Sequence, residues 1–510
     1  MPVSFRVDGQ EVEVAEDGAS LLEVLRDRLG IRSPKDGCSP QGQCGCCTVL
    51  VDGQPRVACV TPLRRVAGRQ VTTLDGLDPA RRAAWADAFC AAGASQCGFC
   101  TPGIIMRLAS LAERTDLTTA GVEQALVAHL CRCTGWRAIV DAAIAVGSPA
   151  PPRDLEAAAL RAALEGGTVQ QVGPGVALGA AGFADDTAPL DALVAVPDGR
   201  GGFVVGGTLT EARARAGQVP GRRSGGALVH PVEMPPGRWE RGLRTTWVEP
   251  AYLEPDASWC RPGGEAATPL ANGGAFGGKV ASPAAVAARR LADEHGRVVR
   301  VVLSREDVVR LGPKRPPVAG GVRHDGTGVL RVARTPGVAE AVASVAPGLV
   351  VEEVDVAGPP TSTAVRAAGW AEAAILLAAA RGDTAVTAPA GGGRAEAEIR
   401  ADGSVLVRVS CGDPLDEVVL RSYCTGAAHM ALGWVRSEGL AVDAAGVPQD
   451  LTIRSFGILR AKDTPSVCVE ITDTAGPPRP VADAVFAAVA AAAWRADSYA
   501  PTWPTRRAGR

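Results

Sequence analysis

Cys38, Cys44 and Cys47 stand close together, and Cys59 follows twelve positions after Cys47. The plant-type [2Fe–2S] pattern is C-x4-C-x2-C with a distant fourth cysteine. Cys44 and Cys47 keep the inner spacing, while five residues separate Cys38 from Cys44, one more than the pattern has. Two irons need four thiolates wrapped around them from a loop. Gly37, Gly42 and Gly45 let the backbone turn tightly enough to provide that loop. The reading is Cys38, Cys44, Cys47 and Cys59 as ligands, with a zinc knuckle as the other reading. Cys46 occupies a small-residue position and is read as a non-ligand. The extra loop residue leaves a swap between Cys46 and a neighbour open.

A second group pairs Cys97-Gly98-Phe99-Cys100 with Cys131-Arg132-Cys133. C-x2-C with C-x-C is too tight for a zinc ribbon, which prefers C-x2-C twice. It suits a cluster held between helix ends, where backbone N–H groups favour an anionic centre. Cys97, Cys100, Cys131 and Cys133 are the ligands on this reading. Cys90 falls within a helical pattern on an apolar face and reads as a buried inert thiol.

The surrounding elements have to position these thiols. Val3, Phe5 and Val7 alternate, Asp8-Gly9 turns, and Val12 and Val14 alternate again, which predicts a hairpin. Thr48–Val51, turn Asp52-Gly53 and Val57–Val60 predict a second. Ser20 and Glu23 form a capping box ahead of Leu21, Leu22, Val24 and Leu25, and Gly30 closes that helix. Four helices are predicted at 79–93, 103–114, 119–130 and 136–146. Ser148–Pro152 reads as linker and 154–165 as one more helix. The expected domains are 1–76, a plant-type ferredoxin domain, and 77–147, a helical cluster-binding domain. A linker at 148–169 and a mixed α/β domain at 170–510 follow. The fold class is α+β, opening with a β-grasp unit.

Composition narrows the setting. The 510 residues carry a net charge of −2, so nothing points to nucleic acid or an anionic membrane. Only four residues are Lys (Lys35, Lys279, Lys314, Lys462) against 53 basic residues in all, which reads as genome composition. No apolar run reaches the ~18 residues of a membrane span, and the N-terminus lacks a signal-peptide pattern. The expected location is the cytoplasm, where disulfides are rare. The five histidines show no metal spacing and read as surface or capped residues.

The segments Gln96–Gly103 and Cys131–Trp136 resemble the signature of the molybdenum hydroxylases: xanthine dehydrogenase, aldehyde oxidoreductase and carbon monoxide dehydrogenase. The resemblance covers residues 1–147. It implies that the helical-domain cluster lies nearest a molybdopterin cofactor and that Gln96 faces the pterin. It also implies that the ferredoxin-domain cluster passes electrons outward, usually to a flavin. Four further segments resemble the family's large molybdopterin-binding chain. These are Ala251–Pro255, the glycine-rich Gly273–Lys279, Val302–Asp307 and Ala364–Trp370. This second resemblance implies cofactor contact at Gly273, Gly274, Phe276, Gly277 and Gly278.

Two departures set the functional expectation. Residues 170–510 are shorter than that large chain. No Glu follows Glu470, although the family carries its catalytic base in a Gly-x-Gly-Glu segment near the C-terminus. Thr474–Pro478 stands in that place. Loss of a positioned base costs roughly 10²–10⁴ in rate. The expectation is an electron-transfer subunit in a hetero-oligomer, with no catalytic residue of its own. It would relay electrons from a molybdopterin-binding partner through two [2Fe–2S] clusters to an FAD-binding partner. The chain offers no nucleotide-binding G-x-G-x-x-G unit, so no FAD of its own is expected. The alternatives are a self-contained molybdopterin-dependent oxidoreductase of aldehyde or purine type, and a non-catalytic redox or assembly scaffold.

Overall fold

The structure, a computed structural model, describes residues 2–218 and 225–506. Strands β1 (Pro2–Val7), β2 (Gln10–Ala15), β3 (Thr48–Val51), β4 (Gln54–Val57) and β5 (Gln70–Thr72) form one sheet in the order β2-β1-β5-β3-β4. Only the central β1–β5 pairing is parallel. Val3, Phe5 and Val7 are buried on one face of β1, as their alternation requires. The second hairpin is shorter than its sequence pattern. β4 ends at Val57, and Ala58–Val60 curl into a 3-10 turn whose Cys59 N–H donates to the Cys47 sulfur at 3.5 Å. That departure from the strand delivers Cys59 to the loop of the other three cysteines.

The helix beginning at Leu21 is capped by the Ser20 hydroxyl, which accepts from the Glu23 N–H at 3.2 Å. Glu23 does not reach back to complete the box. Its carboxylate accepts from the Thr210 hydroxyl at 2.6 Å and from the Thr210 N–H at 3.2 Å. A distant segment has taken over one half of a local motif.

Helices Pro79–Ala91, Thr101–Ala112, Thr119–Ala125 and Arg137–Ile144 follow. The third is shorter than predicted and continues as a 3-10 turn, Leu126–Ala128. Beyond Leu155–Gly166, the described residues form three four-stranded sheets and several helices. The helix Leu155–Gly166 packs on the helix Glu417–Arg436. The helix Ala482–Ala496 is buried along most of its length between that helix and the strands Ala385–Thr387, Arg394–Ile399 and Val405–Ser410. The Ala/Val-rich segment Val481–Trp494 is therefore core.

The two halves share a core. Trp136 is fully buried, and its indole N–H donates to the Leu459 carbonyl at 3.1 Å. Arg132, between two of the cysteines, makes a buried bidentate pair with Glu438 at 2.6 and 2.7 Å. Three of the four lysines are buried, each on a carboxylate: Lys35 on Asp186, Lys279 on Glu254 at 2.6 Å and Lys314 on Glu249 at 2.9 Å. In a chain that otherwise uses Arg, Lys persists where a compact ammonium also donates to backbone carbonyls, as Lys35 does to Arg32 and Gly179. Among the described residues no helix is long and apolar enough to cross a membrane.

Candidate functional site

Cys38, Cys44, Cys46, Cys47 and Cys59 are all buried under one loop. Gly42 (φ +68°) and Gly45 (φ +74°) supply its left-handed turns. The Cys38 sulfur accepts from the Gln41 N–H at 3.1 Å and the Gln43 N–H at 3.5 Å. Hydrogen bonds from the Cys44 and Cys59 thiols, helped by those amides, hold the Cys38 thiol well below its ordinary range. The donating thiols, Cys44 and Cys59, are pushed the other way, well above their ordinary range, so a bound metal would have to draw their protons off.

The second group is built from two helix starts. Cys97 and Cys100 precede the helix Thr101–Ala112, and Cys131 and Cys133 precede Arg137–Ile144. The Cys133 and Cys97 sulfurs lie 3.6 Å apart. Two thiolates on one tetrahedral metal with bonds of about 2.3 Å stand roughly 3.8 Å apart. A hydrogen bond from the Cys100 thiol draws Cys131 down to about 6, and the Cys131 sulfur also lies 3.3 Å from the Thr134 hydroxyl. The second group thus divides into Cys97/Cys133 and Cys100/Cys131. Among the described residues no three His, Cys, Asp or Glu side chains converge on a single-ion point.

The two groups are back to back. A Cβ on Gly103 would run into the Gly45 and Cys46 carbonyls, and one on Gly45 would run into the His129 ring. His129 bridges them, its Nε2 lying 3.2 Å from the Thr48 hydroxyl. Burial pushes His129 down to about 3, so it is a neutral packing group. His429 is likewise buried, with Nε2 3.0 Å from the Leu459 carbonyl. Cys90 is half-buried, its carbonyl accepting from Arg153.

A cavity of about 370 Å³ opens on the far side of the second group. Gln96, Cys97 and Cys133 line it together with Gly273, Gly274, Phe276 and Gly277, and Gly273 lies against Cys97, where a Cβ would stand 3.5 Å from the Cys97 side chain. Gln96 is fixed by donating from Nε2 to the Cys133 carbonyl and the Ser422 hydroxyl, both at 3.0 Å. Asn272 ties the two segments together, donating to the Cys97 carbonyl at 3.3 Å. Gly277 (φ +81°) has no room for a side chain, because a Cβ would strike the Ala364 carbonyl. Gly278 lies behind the wall, against the Tyr252 ring. Residues 364–366 enter through Arg366, whose guanidinium stacks over Phe276 at 5.3 Å.

Sequence reading missed the cavity's three carboxylates. Glu165 accepts from the Val481 N–H at 3.0 Å and the Ala482 N–H at 2.8 Å, capping the helix Ala482–Ala496. Asp483 pairs with Arg366 at 2.8 Å. Glu254 pairs with Lys279 at 2.6 Å through one oxygen, and its Oε1 is buried with no hydrogen-bond partner. Burial pushes Glu254 up to about 7, against the pull of Lys279. Only Glu254 gave a signal in the sequence, through the Leu253-Glu254-Pro255 stretch. The segment 474–478 supplies no carboxylate, and Pro480 just beyond it lines the cavity.

Residues 5–70 match the 2Fe-2S iron-sulfur cluster binding domain, and residues 73–144 match the [2Fe-2S] binding domain. The xanthine dehydrogenase iron-sulfur-binding subunit of Escherichia coli O157:H7 is 38% identical over 131 residues, covering 25% of this chain and 81% of that protein. Aldehyde oxidoreductase of Megalodesulfovibrio gigas is 39% identical over 160 residues, covering 29% of this chain but only 18% of that protein's length. The solved aldehyde oxidoreductase from Desulfovibrio gigas overlays on 99% of this chain and 99% of that one, with a TM-score of 0.69 and 14% identity, which speaks for the fold alone. The chain belongs to the molybdenum hydroxylase family. Its two [2Fe–2S] binding domains make it an electron carrier of that family.

Proposed function

We propose that the chain is a self-contained molybdopterin-dependent oxidoreductase with two [2Fe–2S] clusters in series. The observation that carries this reading is the cavity. The Cys97/Cys133 pair and Gly273–Gly277 both line it, so a single chain would provide both the cofactor space and the first electron exit. Cys97, Cys100, Cys131 and Cys133 would hold the cluster beside the cavity. Cys38, Cys44, Cys47 and Cys59 would hold the one beyond it, in a β-grasp ferredoxin domain.

The chemistry of the cavity's lining suits a pterin cofactor. Its glycine wall lets a ligand approach backbone closely, Phe276 and Tyr423 offer aromatic surface, and Gln96, Asn272 and Arg366 offer amide and guanidinium donors. A molybdopterin group bound there would supply the family's hydroxylation chemistry. The chain's own part is to fix Gln96 against the Cys133 carbonyl, to hold Arg366 on Asp483, and to keep Glu254 buried with one oxygen available for a proton. Electrons would leave through the ferredoxin domain to a flavin-bearing partner.

The second reading is an electron-transfer subunit with a catalytically silent cavity, served by a separate molybdenum-binding chain. It is favoured by the carboxylates: Glu165 caps a helix, Asp483 is paired with Arg366, and residues 471–510 contain no Glu. The likeness of residues 1–144 to small iron–sulfur subunits supports it too. Assay of the purified chain alone with aldehyde, purine and carbon monoxide substrates separates the two. Turnover without any other chain supports the first. Turnover only after a molybdenum-binding chain is added supports the second.

A further inference from the structure

The turn that brings Cys59 to the first cysteine group also carries an exposed, one-signed surface. Val60 follows Cys59 directly and is 51% exposed. It rests on the cysteine loop itself, since a Cβ on Gly42 would stand 3.0 Å from a Val60 methyl carbon. Arginines flank it along the chain. Arg56 is exposed on β4, which ends the strand order and so forms an edge. Arg64 and Arg65 are exposed on the 3-10 turn Leu63–Val66, which the buried Leu63 and Val66 anchor. Residues 54–74 hold four Arg and no Asp or Glu. The fourth, Arg69, is paired with Asp52 at 3.6 Å, and Asp17 is likewise held by Arg28 at 2.7 Å. Arg56 donates only to its neighbouring Pro55 carbonyl, at 3.1 Å. Among the described residues no carboxylate pairs with Arg56, Arg64 or Arg65. Three uncompensated guanidinium groups thus flank one apolar side chain that touches the cluster loop, on a chain whose net charge is −2.

We propose that this face is the docking surface for an acidic electron-acceptor protein, which seats on Val60 and is oriented by Arg56, Arg64 and Arg65. The inference rests on the reading that electrons leave through the first cysteine group. One electron moves per encounter: the outer cluster is oxidised and the acceptor's redox centre is reduced by the same electron. Encounters of this kind bury little surface. A single apolar contact beside a ligand cysteine, with charge around it to set orientation, is the form such a contact takes. Because the chain as a whole is close to neutral, the positive field is local to this face and draws an acidic partner here rather than elsewhere. A membrane would ask for a broad apolar face beside the charge, and this turn offers one exposed valine.

The test uses the full-length, cluster-loaded chain, reduced with dithionite and freed of excess reductant. Stopped-flow transfer is followed to rubredoxin, a small acidic one-electron carrier, to cytochrome c, a basic one, and to neutral benzoquinone. Wild type is compared with Arg64→Glu/Arg65→Glu and Arg64→Lys/Arg65→Lys. The expected rate to rubredoxin falls steeply with added salt in wild type. At low salt it drops about tenfold or more in the Glu variant and stays near wild type in the Lys variant. Cytochrome c is reduced faster by the Glu variant than by wild type, and benzoquinone equally by all three. A wild-type rubredoxin rate indifferent to salt, or one unchanged in the Glu variant, overturns the proposal; the salt response needs no variant, so it decides even where the Glu variant misfolds. Binding to phosphatidylserine–phosphatidylcholine vesicles that the Glu variant loses, with rubredoxin rates unchanged, makes the face a lipid contact and overturns it too. Cys131→Ser, keeping the first centre alone, should still reduce rubredoxin. If it reduces benzoquinone but not rubredoxin, the first centre is not the exit, and that reading fails along with the proposal.

Discussion

Gly103 and Cys46 touch backbone to backbone: a Cβ on Gly103 would stand 2.7 Å from the Cys46 carbonyl oxygen. This contact joins the start of the helix Thr101–Ala112 to the loop of the first cysteine group, and so sets the approach of the two cluster sites. Neither backbone is a flexible side-chain end that could swing aside. Gly103→Ala should cost about 1–3 kcal/mol through overpacking and push the two sites apart. Denaturant unfolding reads the first effect, and weakened magnetic coupling between the reduced centres reads the second. A variant with wild-type stability and coupling would show that the contact relaxes freely.

Arg132 and Glu438 bind the helical region to the C-terminal region, with side chains 3% and 1% exposed. Removing one partner strands the other charge in the interior. Glu438→Leu should therefore lower stability by about 3–5 kcal/mol. Because Arg132 lies between Cys131 and Cys133, the spectrum of one centre should change while the other keeps its wild-type form. A loss below about 1 kcal/mol would mean that solvent reaches Arg132 readily.

The thiol pairs predict independent losses. Cys131→Ser or Cys133→Ser should remove one paramagnetic signal and leave the other, because the second group is drawn entirely from helix starts outside the first loop. Simultaneous loss of both signals in a folded variant would contradict two separate ligand sets.

His429 predicts an acid limb in stability. Burial depresses it from 6.5 to about 4, and Arg132 adds to the effect. Its Nε2 faces the Leu459 carbonyl, while its Nδ1 is buried without a partner. A proton on Nδ1 would have no acceptor, so the folded state keeps the ring neutral and the unfolded state does not. Stability is complete above about pH 6.5 and declines as pH falls towards 4, by on the order of 3 kcal/mol from this group. His429→Gln keeps a donor for Leu459 and cannot titrate, so its stability curve should be flatter between pH 6.5 and 4. An acid limb of wild-type steepness in that variant would remove His429 as its source.

What the sequence made legible was local. The hairpin of β1 and β2, the Ser20 cap and the two cysteine spacings are all settled within a few residues, where turn chemistry and periodicity decide. What stayed hidden depended on distant contacts. Glu23 looked like half of a capping box, but Thr210 claims its carboxylate. Glu165 gave no signal at all, because its partners, Val481 and Ala482, lie more than 300 residues away. The four lysines looked like an accident of composition until three of them proved to be buried on carboxylates. The cavity itself needs Gln96, Gly273–Gly277, Arg366 and Pro480 in one place, and no sequence period encodes that.

The central claim is that one chain holds both clusters and the molybdenum cofactor. Metal and acid-labile sulfide analysis of the natively purified chain, freed of other chains, tests it most directly. The expected result is about four irons, four sulfides and one molybdenum per chain, from two [2Fe–2S] binding domains and one cavity. Four irons and four sulfides without molybdenum, in protein expressed where the cofactor is made, would contradict it and leave electron transfer for a separate catalytic chain as the function.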